Sequence, residues 1–283
     1  MTLHAPTTPA FKANAHAALG NANLQSALRG SRGNFVLKRA KARAKLPEFD
    51  ALRDRARDLR NAVIADLDLW LQAYEAKVLE SGGIVHWAET AEEARAIVLD
   101  ICRKAGAKTV NKGKTMISEE CGINDWLAEN GITAVETDLG EYIIQLRGET
   151  PSHIIAPAVH VTVPEVEAAF RTAHTHLPPE RSLTEYSELL SEARGVLRKK
   201  YFEAEVGITG ANMLIAETGQ SVIVTNEGNG DLSQSLPRVH IVMASLEKVV
   251  PTRFDRPLSS STTWYSSGPS GSPGRRGPLE KVV

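Results

Sequence analysis

Cysteine is scarce in this chain of 283 residues: Cys102 and Cys121 are the two, and neither has another cysteine within three residues. That supply excludes a disulfide framework and a Cys-x-x-Cys loop for a metal or cluster, and both thiols read as buried apolar groups. Long hydrophobic runs are missing too. No stretch approaches the roughly 18 apolar residues that a membrane span requires, so no membrane insertion is expected. Net charge is almost nil, −1 from 33 basic and 34 acidic residues, which removes any long-range pull toward nucleic acid. These absences lead to the expectation of a cytoplasmic chain whose 42% hydrophobic content suffices for a sizeable core.

One absence is local. Residues 1–47 contain no Asp or Glu but carry eight Lys and Arg, from Lys12 to Lys45. An organellar transit peptide has such a composition; a basic helical extension, interrupted at Gly20, Gly30 and Gly33, is the favoured reading. At the other end, fifteen of the twenty-two residues from 257 to 278 are Ser, Gly or Pro. Such a segment buries too little to offset its ordering entropy, and disorder is expected there.

What is present between these ends is periodic. Leu52, Leu59, Val63, Leu67, Trp70, Tyr74 and Val78 recur at helical spacing and predict one long amphipathic helix, closed by Ser81-Gly82-Gly83. Three Thr/Ser…Glu pairs, Thr90 with Glu93, Thr162 with Glu165 and Ser182 with Glu185, have the spacing of capping boxes and mark further helix starts. Strand-like runs are expected at 84–87, 109–110, 133–136, 142–146, 154–156, 214–216, 221–225 and 239–243. Alternation of the two types implies a largely parallel sheet covered on both faces, an α/β sandwich, with the runs from Leu214 on free to pair antiparallel. The expected sections are 1–80, a basic extension and long helix; 81–252, the α/β domain; and 253–283, the tail.

Chemistry concentrates in a few places. Gly113-Lys114-Thr115 ends like a phosphate loop, but the position five before Gly113 is Lys108, not glycine, so a nucleotide triphosphatase is not expected. Lys114 beside Ser118 and Glu120 remains a candidate site for a small anion, although acids in a first helical turn also complement the helix dipole. His174-x-His176 before Pro178-Pro179 reads as a solvated loop, since no nearby cysteine completes a tetrahedral metal set; no metal site is expected. His153, His160 and His240 lie on or beside strand-like runs and read as core or supporting residues. From Thr209 to Gly230, apolar runs alternate with glycine-rich turns holding Glu217, Thr218, Asn226, Glu227 and Asn229. Glu217 falls at a strand end before a glycine, where ligands of open α/β sheets settle, and is the candidate catalytic acid; the others are candidates for a polar binding pocket.

Several of these segments together resemble the LUD, or lactate utilization, family. They are Lys-Gly-Lys-Thr-Met-Ile-Ser-Glu-Glu at 112–120, the run 136–146, Glu-Thr-Pro-Ser-His at 149–153 continuing to Ala158, the stretch 209–230, and 236–241 leading to 247–252. The resemblance covers roughly 11–252 and is nearest to the family's iron-sulfur subunits. It implies the three-layer fold shared with sugar-phosphate isomerases and CoA transferases, membership of a complex oxidising L-lactate to pyruvate with electron transfer, and other lactate-utilization subunits as partners. Full-length relatives resemble a LUD domain followed by a ferredoxin-like module whose cysteine runs hold four-iron four-sulfur clusters. This sequence has no such run, so no cofactor of its own is expected, and the chain reads as a LUD domain cut short. Two other readings stand beside it. One is a separate binding protein or CoA-transferase-like enzyme for a carboxylate or phosphorylated metabolite, in which Glu217 would be the nucleophile. The other is a remnant without activity.

Overall fold

The structure is a computed structural model and describes residues 8–153, 156–252 and 279–282. In chain order the elements are helices α1 (Phe11–Gly20), α2 (Ala22–Ala44), α3 (Phe49–Ala65) and α4 (Leu67–Glu80), strand β1 (Ile84–His86), helix α5 (Ala91–Lys104), strand β2 (Thr109–Gly113), helices α6 (Met116–Glu120) and α7 (Ile123–Glu129), and strand β3 (Thr133–Glu136). Helices α8 (Leu139–Arg147), α9 (Val163–Ala173) and α10 (Tyr186–Glu203) follow. Then come strands β4 (Val206–Thr209), β5 (Met213–Ile215) and β6 (Gln220–Val222), helix α11 (Asn229–Ser235), and strands β7 (Val239–Met243), β8 (Val249–Val250) and β9 (Leu279–Val282). Two compact units result: residues 56–138 with 198–283, and residues 2–55 with 139–197.

The first unit is α/β. Its main sheet runs β1-β9-β7-β4-β2-β3 and every pairing is parallel. Val110, Val206, Ile208 and Ile241, all fully buried, present one face to Val98, Ile101 and Cys102 of α5 and to Ile123 and Leu127 of α7. Each such side chain contributes about 1.5–3 kcal/mol by leaving water. Burial pushes the Cys102 thiol up to about 12.

Because side chains alternate along a strand, Gly113 and Gly207 lie on the opposite face, and there α11 packs. A methyl at Gly207 would fall 1.8 Å from the Ser233 carbonyl oxygen, so only glycine lets the helix sit this low. A smaller sheet, β6-β5-β8, pairs β5 with β6 antiparallel and β5 with β8 parallel. Leu214, Ala216 and Val249 of its region share a core with Val63, Tyr74 and Val78 of α3 and α4.

Several expectations change. The apolar block 142–146 is not a strand but part of α8, which buries Tyr142, Ile143 and Ile144; Glu141 in the first turn and Arg147 in the last complement its dipole. The single long helix is two, broken at Asp66, whose φ of −129° and ψ of 42° lie outside the helical region. The start expected at Ser182 comes later, at Tyr186, because Glu188 rather than Glu185 accepts the Ser182 hydroxyl and the Glu185 N–H. Strand β6 stops at Val222, short of Thr225. Strand β4 was not anticipated: Gly207 weakens its signal, yet it is the residue α11 requires. Of the run 154–156, Ala156 lies in a loop, and 154–155 lie outside the described residues, as do 253–278 and 283. Leu279–Val282, expected to be disordered with the tail, form β9.

Candidate functional site

Parallel strands bring their C-terminal ends to one edge, and side chains of the first unit gather there. Just past β2, Lys114 takes φ 57°, a left-handed conformation that a non-glycine residue adopts only when its surroundings hold it. Gly210 gives the Lys114 carbonyl its N–H at 3.2 Å, and a methyl on Gly210 would lie 2.5 Å from that oxygen. From this backbone the Lys114 ammonium reaches Asp138 Oδ2 at 2.7 Å, Asn226 Oδ1 at 2.9 Å and Glu227 Oε1 at 3.9 Å. Asp138 follows β3 directly, after Thr137 has used its N–H and hydroxyl on the Lys112 carbonyl at 2.8 and 2.9 Å.

The loop carrying Asn226 and Glu227 is tied down at both ends. Val224 donates to Asn212 Oδ1 at 2.7 Å, and Gly228, with φ 76°, opens α11. Asn229 is 3% exposed beside Gly113, and among the described residues neither its amide oxygen nor its amide nitrogen has a hydrogen-bond partner. A buried amide normally finds partners, and leaving one without costs about 1–3 kcal/mol. Burial pushes the Tyr201 phenol up to about 12; a hydrogen bond with Thr137 opposes that, and the charges of Glu227 and Asp138 add to it.

Two residues earlier on β2, Lys112 faces the other way. Its ammonium, 1% exposed, contacts Glu136 at 2.7 Å, Ser118 Oγ at 3.1 Å and the Glu119 carboxylate. Asn124 donates to Glu136 at 2.6 Å. Burial alone would lower the Lys112 pKa, but Glu136 and Glu119 reverse this and keep it charged, above the ordinary lysine value. Burial, with the Glu119 charge, raises Glu136 against the pull of Lys112.

The sequence profile of the LUD domain matches residues 71–255. This chain belongs to the LUD domain family. Lactate utilization protein B of Bacillus velezensis is 39% identical to it over 246 residues, 87% of this chain and 51% of the relative. The Exiguobacterium protein of the same name is 43% identical over 76% of the chain and 45% of the relative. An Escherichia coli K12 protein named uncharacterized electron transport protein YkgF is 35% identical over 86% of the chain and 50% of the relative. The LUD chain therefore spans about half the length of the curated relatives it matches. A DUF162 family protein of Deinococcus radiodurans is 15% identical over 77% of this chain and 97% of its own, with a TM-score of 0.36.

In the LUD chain, Lys114, Asn226 and Glu227 meet, and Asn229 sits beside Gly113. Ser118 joins Lys112 instead: its hydroxyl donates to the Thr115 carbonyl and accepts from the Lys112 ammonium. Glu120 is exposed at the end of α6. Glu217 and Thr218 occupy the β5–β6 turn, where the exposed Glu217 gives its N–H to the Pro251 carbonyl and Thr218 its hydroxyl to Gln220. The loop holding Asn226 leaves the hairpin at its other, open end. With three residues per strand at roughly 3.3 Å each, the turn stands on the order of 10 Å from that end.

Sequence reasoning missed Asp138, Lys112, Glu136 and Tyr201. For Asp138 a signal existed, an acid two residues past the end of β3 at Glu136, the position from which open sheets meet ligands. His174 is not in a solvated loop: it is 2% exposed, with Nδ1 2.7 Å from Glu192 and Nε2 2.8 Å from the Tyr142 hydroxyl. His240, on β7, is buried and bonded to the Thr209 hydroxyl at 2.8 Å. Among the described residues no three His, Cys, Asp or Glu side chains converge to hold a metal ion, and no helix is long and apolar enough to cross a membrane.

Proposed function

We propose that this LUD chain serves L-lactate utilization as a cytoplasmic subunit of a complex that oxidises L-lactate to pyruvate, and that the crevice at Lys114 binds a small carboxylate. The observation that carries the first part is the 37–43% identity, over most of the chain, to proteins named Lactate utilization protein B. Electron transfer in such a complex needs redox groups. Two isolated cysteines, one of them sealed in the core, do not fit an iron-sulfur cluster. No redox step is assigned to these residues, and electrons would pass through partner subunits or segments beyond this sequence.

The crevice supports the second part by its donor set. Lys114 has three ammonium hydrogens, of which Asp138 and Asn226 take two. Asn229 offers an amide donor and acceptor side by side, and no described residue partners either. A 2-hydroxy carboxylate carries the complementary pair, a carboxylate that accepts and an adjacent hydroxyl that donates. Asp138 and Glu227 leave the crevice net negative, so binding rests on these directed hydrogen bonds and not on bulk attraction.

A thermal-shift series over lactate, pyruvate, CoA and sugar phosphates tests the crevice. Lactate at about 100 times its Kd stabilises a binding protein by about 2.7 kcal/mol. Lys114→Ala should abolish that shift while leaving the unliganded Tm within a few degrees. Glu217→Gln reports on the hairpin turn: loss of the shift there would place the turn in the same site. An unchanged ligand response in Lys114→Ala would rule the crevice out.

A further inference from the structure

The second unit holds a chain of hydrogen bonds that the proposed function does not use. Arg147 grips Glu149 through Nε at 2.8 Å and through a terminal guanidinium nitrogen at 2.6 Å. The other oxygen of Glu149 lies 2.8 Å from His160 Nε2, and His160 Nδ1 lies 2.8 Å from the Ser152 hydroxyl. Ser152 is exposed, and its neighbour His153 stacks on Phe35 with ring centroids 6.2 Å apart.

The order of partners fixes the protons. Burial pushes Glu149 up, but hydrogen bonds from Arg147 and His160 outweigh it and hold the carboxyl below the usual range, so it is an ionised acceptor. Nε2 of a neutral His160 must then carry the hydrogen, which leaves Nδ1 bare toward Ser152. The hydroxyl has one proton and two acceptors in reach, Nδ1 at 2.8 Å and the Pro157 carbonyl at 3.0 Å. Nucleophile, base and orienting acid in hydrogen-bond sequence constitute an activated serine, whatever fold carries it. The acid here sits on Nε2 and the serine on Nδ1, and imidazole chemistry serves either way round.

We propose that Ser152, His160 and Glu149 form a nucleophilic site that accepts the acyl group of an activated ester or thioester, and that this activity is separate from the Lys114 crevice. Ser152 Oγ bonds to the acyl carbon as its proton passes to His160 Nδ1. The bond from the acyl carbon to sulfur or aryl oxygen breaks, and the leaving group takes the proton from His160. Water then gives a proton to Nδ1 and its oxygen to the acyl carbon, the bond to Oγ breaks, and Oγ regains the proton, releasing a carboxylic acid. Arg147 is committed to Glu149 and cannot stabilise an oxyanion, so the donor must bring a good leaving group. The exposed Phe35 ring beside His153 supplies apolar surface for the acyl part.

The whole chain is treated with a fluorophosphonate probe and mapped by peptide mass spectrometry, and p-nitrophenyl acetate is followed for a burst. We expect one adduct per chain, on Ser152, and a burst of about one equivalent. Ser152→Ala should abolish both, and His160→Gln should slow both by roughly 100-fold. Ser182→Ala, an exposed serine elsewhere in this unit, should leave both unchanged. Mapping the wild-type adduct requires no variant to fold. No adduct, or an adduct on another residue, would overturn the proposal, and so would a Ser152→Ala protein that loses thermal stability but keeps the burst: Ser152 would then be a clamp for its loop.

Discussion

Lys112 and Lys114 are two residues apart at the end of one strand, and their surroundings differ as much as a protein interior differs from its surface. Lys112 is sealed under α6 and α7 with two carboxylates and a hydroxyl around it. Lys114 has turned out of the sheet through a left-handed backbone step and shares its ammonium among groups at a rim. The same side chain thus does two jobs. An ammonium whose three hydrogens are all taken by Glu136, Glu119 and Ser118 has nothing left to offer a ligand and serves the fold, whereas a partly open one keeps a donor in reserve.

Breaking this contrast starts with Lys112→Met, which strands Glu136 and Glu119 without their counter-charge. Removing one partner of a buried ion pair costs about 3–5 kcal/mol, and urea unfolding should report that loss, with Lys114→Met costing about 1 kcal/mol or less. Equal losses would erase the distinction between a structural and an available lysine.

The pH dependence sharpens it further. A carboxyl whose folded pKa is raised keeps its proton longer in the folded state than in the unfolded one. Glu136 therefore favours folding on the acid side, and that contribution falls as pH rises from the usual carboxylate range through its raised folded value. Lys112, also raised, has the opposite practical outcome at neutrality: its contribution is fully present below the ordinary lysine value near 10.5 and disappears only above it. Subtracting the stability curve of Glu136→Gln from that of wild type should give a difference that declines as pH climbs past about 4.5. A flat difference would mean that Glu136 titrates as an ordinary surface acid.

The smallest effect is kinetic. Cys102, in the core that also buries Val110 of β2 and with its thiol pushed up to about 12, should react with a thiol reagent only after unfolding, and half-buried Cys121 should react sooner. Modification of both at one rate would show that the closed side is not closed.

The sequence made the parallel α/β architecture legible because Val110, Ala134-Val135 and the run 239–243 are short apolar signals between helical patterns, and those signals are local. It was silent on β4, where Gly207 serves a helix that arrives more than twenty residues later, and it misread Tyr142-Ile143-Ile144, whose burial is decided by packing and not by period. In the site, Lys114, Asn226 and Glu227 were legible as polar residues at strand ends. Asp138 had only its place near a strand end to mark it, because its partnership with Lys114 spans two strands, and Ser118 went to Lys112 because a buried ammonium needs a third acceptor. Glu217 carried the clearest local pattern, and the structure puts it at the far end of its hairpin.

The contact between Gly207 and Ser233 also couples position 207 to the depth at which α11 sits. Asn229 and Ser233 are one helical turn apart, so whatever lifts Ser233 off the sheet also lifts Asn229 from Gly113. A graded series of small residues at 207 would act as shims under a lever, tuning the depth of the crevice from a position no ligand touches.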